Sequence, residues 1–277
     1  MRHRFHQVDV FAGRALRGNP LAVVHDAAGL DEPAMAALAR WTNLSETTFL
    51  LPPDDPAADY RVRIFTPFGE LPFAGHPTLG SAWAWRTAGG QPRTPGRLVQ
   101  QCGIGLVTLR DDGGRLAFAA PPLRRTGPLE AELLARIETG LGLAAGEVLQ
   151  HQWVDNGPGW CAVLLPSADH VRALRPDWPA LGALRVGVVG AHPPGADAQF
   201  ELRAFLGGAL PFEDPVTGSL NAAVAQWLIG AGLAPERYVA TQGHVLQREG
   251  RLHLWREHAT VWVGGEVTPV IEGEILL

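Results

Sequence analysis

The sequence has 277 residues, 46% of them hydrophobic, and a formal net charge of -5 at pH 7. This length and composition allow a large core and lie where one core begins to divide into two domains. An acidic chain without a Lys/Arg-rich run lacks the positive field of nucleic-acid-binding proteins, so we expect no nucleic-acid partner.

Targeting features point to the cytoplasm. The N-terminal segment lacks the apolar core of a signal peptide. The longest apolar stretch, near 222–234, is interrupted by Gln226 and is too short to span a bilayer, so we expect no membrane partner. The spacing of Cys102 and Cys161 fits neither a disulfide framework nor a zinc site, and both are expected to stay reduced.

Strand patterns predominate in the first half of the chain. Two apolar segments joined by the turn Gly18-Asn19-Pro20 predict a hairpin. Further strands are indicated by the alternation of apolar and polar residues. The predicted strands span residues 5–11, 21–24, 45–50, 60–66, 105–109 and 116–119.

One helix is predicted between these strands. Asp31 has a side chain suited to a helix N-cap, and Asn43 is suited to the end of the helix. The apolar residues between them recur at helical spacing and are expected to be buried. They are Met35, Leu38, Ala39 and Trp41.

The second half reuses this plan. A helix is predicted at 129–141, with an apolar face formed by Leu133, Leu134, Ile137 and Leu141. The predicted strands span residues 148–154, 161–165, 185–189, 200–205, 238–242, 252–255, 260–263 and 267–271. Pro121-Pro122 is interpreted as the domain boundary. We therefore predict an N-terminal lobe of residues 1–120 with 265–277 and a C-terminal lobe of residues 121–264.

An internal repeat supports two similar halves. Residues 70–87 and 210–228 each contain Leu-Pro-Phe, then a turn rich in Pro, Gly and Thr, then an Ala- and Trp-rich helix. The alternating strands at 60–66 and 200–205 precede these stretches and are predicted to be counterparts.

Both turns are predicted to begin helices. Pro77 suits the first helical position, and Thr217 or Ser219 supplies the hydroxyl expected at an N-cap. A helix start carries unpaired backbone N–H groups and the positive end of the helix dipole, and Gly75 and Gly218 would let a ligand approach them. Two such helix ends facing each other would bind a carboxylate.

Polar residues near these turns are the candidates for chemistry. Considered alone, Glu46 could be a solvated carboxylate on a strand. His76 and Asp214 each precede a proline, where an extended or capping residue is expected in any case. Ser219 lies in Thr-Gly-Ser-Leu-Asn and not in a G-x-S-x-G elbow, which disfavours a nucleophilic serine.

Cofactor motifs are absent from the sequence. The segment Gly187-Val-Val-Gly190 does not match G-x-G-x-x-G, and no P-loop is present, so no nucleotide cofactor is expected. His3 and His6 lack a third ligand nearby, and no H-E-x-x-H motif occurs. We therefore predict an activity that uses neither a cofactor nor a metal ion.

Three motifs in this order resemble the PhzF-like family of phenazine biosynthesis. They are Asn43-Leu-Ser-Glu-Thr-Thr-Phe49, Glu70-Leu-Pro-Phe-Ala-Gly-His-Pro-Thr78 and Glu213-Asp-Pro-Val-Thr-Gly-Ser219. The match spans most of the chain and includes Asn156-Gly157-Pro158 and Gln242-Gly243. The resemblance implies an α+β fold of the diaminopimelate epimerase-like superfamily. In that fold, two pseudo-symmetric domains each place a curved sheet or barrel around a central helix, with the active site between the domains.

The resemblance also implies site residues and a reaction. The general acid/base glutamate of the family would be Glu46, and His76 and Asp214 would complete the catalytic set. The substrate-binding residues would be Gly75, His76, Gly218 and Ser219. The implied enzyme is an isomerase that moves a proton on a small anionic metabolite carrying a carboxylate. It would be similar to the trans-2,3-dihydro-3-hydroxyanthranilate isomerase of phenazine biosynthesis.

Other activities of the same fold stay open. Diaminopimelate epimerases have a cysteine before each of the two glycines, where this chain has Ala74 and Thr217, which disfavours epimerisation by two thiols. An amino- or imino-acid epimerase or racemase would need a second acid/base, for which Asp214 is the candidate. A non-catalytic small-molecule binding protein is the other alternative, and a homodimer is also left open.

The chain departs from the family at one loop. After Gln242-Gly243 the family usually has Gly-Arg-Pro, where this chain has Gln247-Arg248-Glu249. This difference weakens an assignment to the phenazine precursor itself, so the sequence leaves the identity of the substrate open.

Overall fold

The computed structural model describes residues 1–112 and 114–277. The described chain divides into two compact units. Unit 1 consists of Met1–Ala119 and Gly264–Leu277, and unit 2 consists of Ala120–Val263. No helix within the described ranges is both long enough and apolar enough to cross a bilayer.

Strands and helices are numbered in chain order. Strands β1 to β17 span Arg2–Val10, Asn19–Val24, Glu46–Leu51, Tyr60–Thr66, Gly69–Leu71, Arg97–Cys102, Gly105–Asp112, Arg115–Ala119, Gln150–Trp153, Trp160–Leu165, Arg185–Ala191, Phe200–Leu206, Phe212–Asp214, Arg237–Gln242, Gly250–Glu257, Thr260–Gly265 and Val267–Leu276. Helices α1 to α6 span Glu32–Thr42, Gly75–Thr87, Ala131–Leu141, Ala168–Ala173, Trp178–Leu181 and Gly218–Gly230, and two 3-10 helices span Ala27–Gly29 and His244–Leu246.

In unit 1 a curved sheet surrounds helix α2. Strand β1 pairs antiparallel with β17 and β2, β2 pairs parallel with β3, and β3 pairs antiparallel with β4. Strand β4 forms a hairpin with β5 and pairs parallel with β6, which continues antiparallel through β7 to β8. Helix α2 is buried from Gly75 to Ala82 and is the central helix of this unit, since it contacts strands β1, β2, β3, β4, β6, β8 and β17.

Unit 2 has the same order of strand pairs. Strand β9 pairs antiparallel with β10, β10 pairs parallel with β11, and β11 pairs antiparallel with β12. Strand β12 forms a hairpin with β13 and pairs parallel with β14, which pairs antiparallel with β15. Helix α6 is buried along almost its whole length, and Gly187 on β11 leaves room for the side chain of Leu220. The predicted pseudo-symmetry is therefore confirmed.

The repeat extends to one pair of side chains. On the first hairpin, Arg63 donates to both carboxylate oxygens of Glu70, at 2.7 and 2.6 Å. On the second hairpin, Arg203 donates to both oxygens of Glu213, at 2.9 and 2.7 Å. Each guanidinium also lies over the phenylalanine two residues further along its strand, 5.0 and 4.8 Å from the ring centroid. The strands predicted to be counterparts, β4 and β12, therefore occupy equivalent positions.

The two Leu-Pro-Phe triplets, in contrast, are not counterparts. The first hairpin closes with residues 67 and 68 between its paired ends, whereas the second has residues 207–211 there. The longer loop contains Leu210 and Pro211, while Leu71 is the last residue of β5. The predicted match of these triplets is therefore wrong, because the strand register makes Leu71 equivalent to Asp214, four residues beyond Leu210.

Helix α1 has the predicted ends but not the whole predicted face. Asp31 accepts a hydrogen bond from the third backbone amide beyond it, and Asn43 ends the helix in the left-handed conformation. Met35, Leu38 and Ala39 are buried, but Trp41 is 82% exposed. Two residues beyond Ala39 correspond to about 200° around the helix, so Trp41 points away from the core.

The departure at Gln247 places a side chain in an unfavourable backbone conformation, with φ at 58°. Because glycine adopts positive φ without a Cβ clash, we expect Gln247→Gly to raise the free energy of unfolding by about 0.5 to 1 kcal/mol. Urea denaturation measures this difference. Gln247→Ala removes the same side chain but keeps Cβ, so it should give no such gain. A glycine variant no more stable than the alanine variant would contradict the expectation.

Candidate active site

The first candidate residue, Glu46, is the first residue of strand β3, shortly after the end of helix α1. The left-handed conformation of Asn43 turns the chain, and β3 then begins at Glu46, which pairs with Leu21 on β2. The Glu46 side chain is only 14% exposed, and its Oε2 lies 3.3 Å from Nε2 of His76. Two residues 30 positions apart in the sequence are therefore in contact in unit 1.

His76 meets Glu46 as a neutral group. It is the second residue of α2 and is 5% exposed. Burial lowers the pKa of His76 to about 3, against a smaller opposing effect of a hydrogen bond with the Pro20 backbone. At neutral pH the imidazole is therefore uncharged, with one donor and one acceptor nitrogen. The pair consequently meets as a carboxyl group beside a neutral imidazole and not as a fixed ion pair.

Asn19 lies beside this pair, although its position in the sequence predicted only a turn. It is fully buried, and its Nδ2 lies 3.4 Å from Nδ1 of His76. The Ser45 hydroxyl donates to its Oδ1, also at 3.4 Å. Asn19 thus links His76 to the residue before Glu46. The only sequence signal was a polar residue between Gly18 and a proline, which is equally typical of an ordinary turn.

Helix α2 begins without a side-chain cap. Ala74 occupies the N-cap position and gives no side-chain cap, and the first helical hydrogen bond runs from the Thr78 amide back to Ala74. The amides of Gly75 and His76 therefore precede the hydrogen-bonded turns, where an anion is favoured. Pro77 was predicted at the first helical position, but it is the third helical residue. It is tolerated there because that position needs no amide donor.

Helix α6 begins in unit 2 at Gly218, but neither predicted hydroxyl caps it. Thr217 occupies the N-cap position, yet its hydroxyl donates to Oδ2 of Asp214 at 2.6 Å. Ser219 lies within the helix, where its Oγ accepts a hydrogen bond from the indole of Trp160 at 3.1 Å. Thr217 is therefore at the predicted N-cap position, but the predicted capping hydroxyl is wrong, because the hydroxyls of both Thr217 and Ser219 bind other side chains.

Gln242 organises this second helix start. Its Oε1 accepts hydrogen bonds from the Thr217 amide at 3.0 Å and from Asn221 Nδ2 at 2.8 Å. Its Nε2 donates to the Asp214 carbonyl at 2.9 Å and to the Thr217 hydroxyl at 3.0 Å. Asn156 Nδ2 donates to the Ser219 carbonyl at 2.9 Å. Gln242 thus supports the turn that carries Asp214, and Asn156 supports the first turn of α6.

The cysteines lie outside these two sets of residues. Cys102 and Cys161 form no disulfide. Burial raises the pKa of Cys161 to about 12 and also raises the pKa of Cys102. Neither thiol would therefore be ionised near neutral pH, where thiol acid/base chemistry requires a thiolate.

Comparison with known proteins finds relatives over the whole length of the chain. The family described as "Phenazine biosynthesis-like protein" matches residues 8–273. Antisense-enhancing sequence 1 of Schizosaccharomyces pombe is 34% identical, with 98% of both chains covered. The trans-2,3-dihydro-3-hydroxyanthranilate isomerase of Pseudomonas aeruginosa is also 34% identical, with 99% of this chain and 100% of the relative covered.

Solved structures give the same result for the fold. A PhzF-family protein of Enterococcus faecalis has a TM-score of 0.84 and 26% identity, and the alignment covers 100% of both chains. This likeness confirms the predicted diaminopimelate epimerase-like fold class.

Proposed function

Since the chain belongs to the phenazine biosynthesis-like protein family and is an isomerase, we propose that it moves a proton on a small carboxylate-bearing metabolite by general acid/base catalysis without a cofactor. One observation carries this proposal. The carboxyl group of Glu46 is largely withdrawn from water and lies 3.3 Å from the neutral imidazole of His76, at the start of helix α2.

Glu46 is proposed to carry the transferred proton. As a carboxylate it removes a proton from one substrate carbon, the electron pair of that C–H bond forms a new double bond, and the existing double bond shifts. The protonated Glu46 then returns the proton to a second carbon. The substrate is isomerised without net gain or loss of atoms or electrons, and Glu46 is regenerated. His76 would hold the Glu46 carboxyl group in place by contact with its Oε2.

The substrate carboxylate would be bound by backbone amides at helix starts. In unit 1 these are the amides of Gly75 and His76, and in unit 2 those of Gly218 and Ser219. Each helix start favours an anion because its N–H groups lack helical partners and because the dipole is positive there. The hydrogen-bonded side chains around Thr217 would keep the amides of α6 in position.

Asp214 is proposed as a second acid/base. The Thr217 hydroxyl donates to its Oδ2, and Gln242 holds its backbone carbonyl. These two hydrogen bonds hold the carboxyl group and the backbone of Asp214 in place, as a positioned acid/base requires. Asp214 would serve a substrate whose conversion needs a second acid/base group.

The proposal is tested by incubating the purified protein with trans-2,3-dihydro-3-hydroxyanthranilate in D₂O. Proton NMR should show isomerisation and deuterium at the reacting carbon if the proton held by Glu46 exchanges with solvent. Binding without turnover for this compound and a panel of small carboxylates would favour a binding protein. Scrambling of a stereocentre without a double-bond shift would favour an epimerase.

A further inference from the structure

A fully buried carboxylate lies in unit 2 outside the residues assigned above. Glu201 on β12 is 0% exposed. The Thr241 hydroxyl donates to its Oε2 at 2.7 Å, Arg172 donates to the same oxygen at 3.0 Å, and His244 Nδ1 lies 2.9 Å from Oε1. His192 Nε2 completes the cluster, 2.8 Å from the Thr241 hydroxyl oxygen and 3.5 Å from Oε2 of Glu201.

Glu201 remains ionised despite its burial. Burial alone would raise its pKa, but hydrogen bonds from His244 and Thr241 and the charge of Arg172 outweigh this effect and hold the pKa below its usual range. A buried charge is costly to retain unless it is paired and hydrogen-bonded. The groups around Glu201 meet that requirement.

Unit 1 shows that the repeated fold does not require this carboxylate. Glu201 lies opposite Thr241 in the pair of β12 with β14, as Arg61 lies opposite Gln101 in the pair of β4 with β6. Arg61 forms an ion pair with Asp54 at the protein surface. The same strand pair therefore forms without a buried carboxylate at this position, which points to a role beyond folding in unit 2.

The Glu201 cluster holds the end of β14 next to the candidate site. Thr241 immediately precedes Gln242, and His244 follows it by two residues. Gly243 lies so close to the Asp214 turn that a Cβ there would be 2.5 Å from the Pro215 carbonyl oxygen. A shift of this strand end would therefore move the side chain that fixes the turn.

We propose that Glu201 is a positioning residue for the reaction. By holding Thr241 and His244, it fixes Gln242, and Gln242 in turn keeps the Thr217 hydroxyl on the Asp214 carboxylate. The expected effect on turnover rests on the proposed function, in which Asp214 is an acid/base. The effect on the turn itself is independent of any substrate.

The test compares Glu201→Gln with Arg61→Gln, the variant at the equivalent position of unit 1. Two measurements are made: kcat and KM with trans-2,3-dihydro-3-hydroxyanthranilate as the probe, and hydrogen exchange of residues 214–221. In Glu201→Gln we expect kcat to fall about 10- to 100-fold with a smaller change in KM, because small misplacements of reacting groups cost rate. Exchange at 214–221 should become faster while unit 1 stays unchanged. Arg61→Gln should change neither kcat and KM nor the hydrogen exchange of residues 214–221.

Several outcomes would overturn the inference. These are an unchanged kcat, unchanged exchange at 214–221, or a uniform rise in exchange across both units, which would indicate general destabilisation only. If the wild-type protein turns over neither this probe nor the panel of small carboxylates, the proposed function fails, and the exchange data alone decide the positioning role. If Glu201→Gln does not fold, His244→Gln removes one anchor, leaves the bonds to Arg172 and Thr241, and is judged by the same criteria.

Discussion

Glu46→Gln is expected to lose most turnover, about 10²- to 10⁴-fold in kcat, which is the usual contribution of a positioned acid/base group. Glutamine keeps the shape of the side chain but cannot accept a proton from carbon. The variant should still fold and bind ligand, since glutamine is nearly the same size as glutamate and the imidazole of His76 beside it is neutral. Steady-state kinetics, thermal unfolding and ligand binding together measure these expectations.

Glu274→Gln is the matched control for this experiment. Glu274 lies in the same unit, on β17, and forms an exposed ion pair with Arg2. The same chemical change at this position should leave kcat and ligand binding at wild-type values. A loss of turnover in both variants would indicate a general effect on the protein and not the loss of an acid/base group.

Two results would move the catalytic role away from Glu46. Undiminished turnover in Glu46→Gln would rule out the proton shuttle. If Asp214→Asn abolished turnover while Glu46→Gln did not, the acid/base role would belong to unit 2. Turnover without deuterium incorporation, in contrast, would fit a proton passed between carbons faster than it exchanges.

The secondary structure was predictable where burial follows sequence periodicity. Strand β4 lies at the predicted residues because its apolar and polar side chains alternate, and α1 has the predicted capping residues. Strand β6 was missed because Gln100, a polar residue, occupies an interior position with 0% exposure. Its side chain is satisfied by Tyr60 and Thr78, which are distant in sequence. Such burial depends on tertiary partners that local sequence does not indicate.

The candidate site was predictable from motifs only in part. The motif positions of Glu46 and His76 are in contact in the structure, although their catalytic roles remain proposals. The buried amide of Asn19 and the bonds of Gln242 to Thr217 could not be derived from spacing, since each joins segments brought together by the fold. The Thr217 hydroxyl illustrates the same limit, because its oxygen accepts a hydrogen bond from Gln242, which is distant in sequence, and not from a helix amide.

The second large effect expected is on stability, at the repeated Arg–Glu pair. In unit 2, Arg203 and Glu213 side chains are 3% and 8% exposed, and Arg203 also donates to two backbone carbonyls. Glu213→Gln would leave a buried guanidinium without its counter-charge. We expect this variant to lower the free energy of unfolding by about 3 to 5 kcal/mol.

Unit 1 supplies the control, because Glu70→Gln is the same change on the equivalent hairpin. Glu70 is 37% exposed, and Arg63 keeps a second carboxylate partner in Glu32 at 2.8 Å. We therefore expect Glu70→Gln to cost less than about 1 kcal/mol. Urea unfolding of both variants, followed by tryptophan fluorescence, measures the difference. The two hairpins share the same Arg–Glu geometry and differ in the exposure of the pair and in its further partners. Equal losses of unfolding free energy in the two variants would therefore show that burial does not set the contribution of the pair to stability.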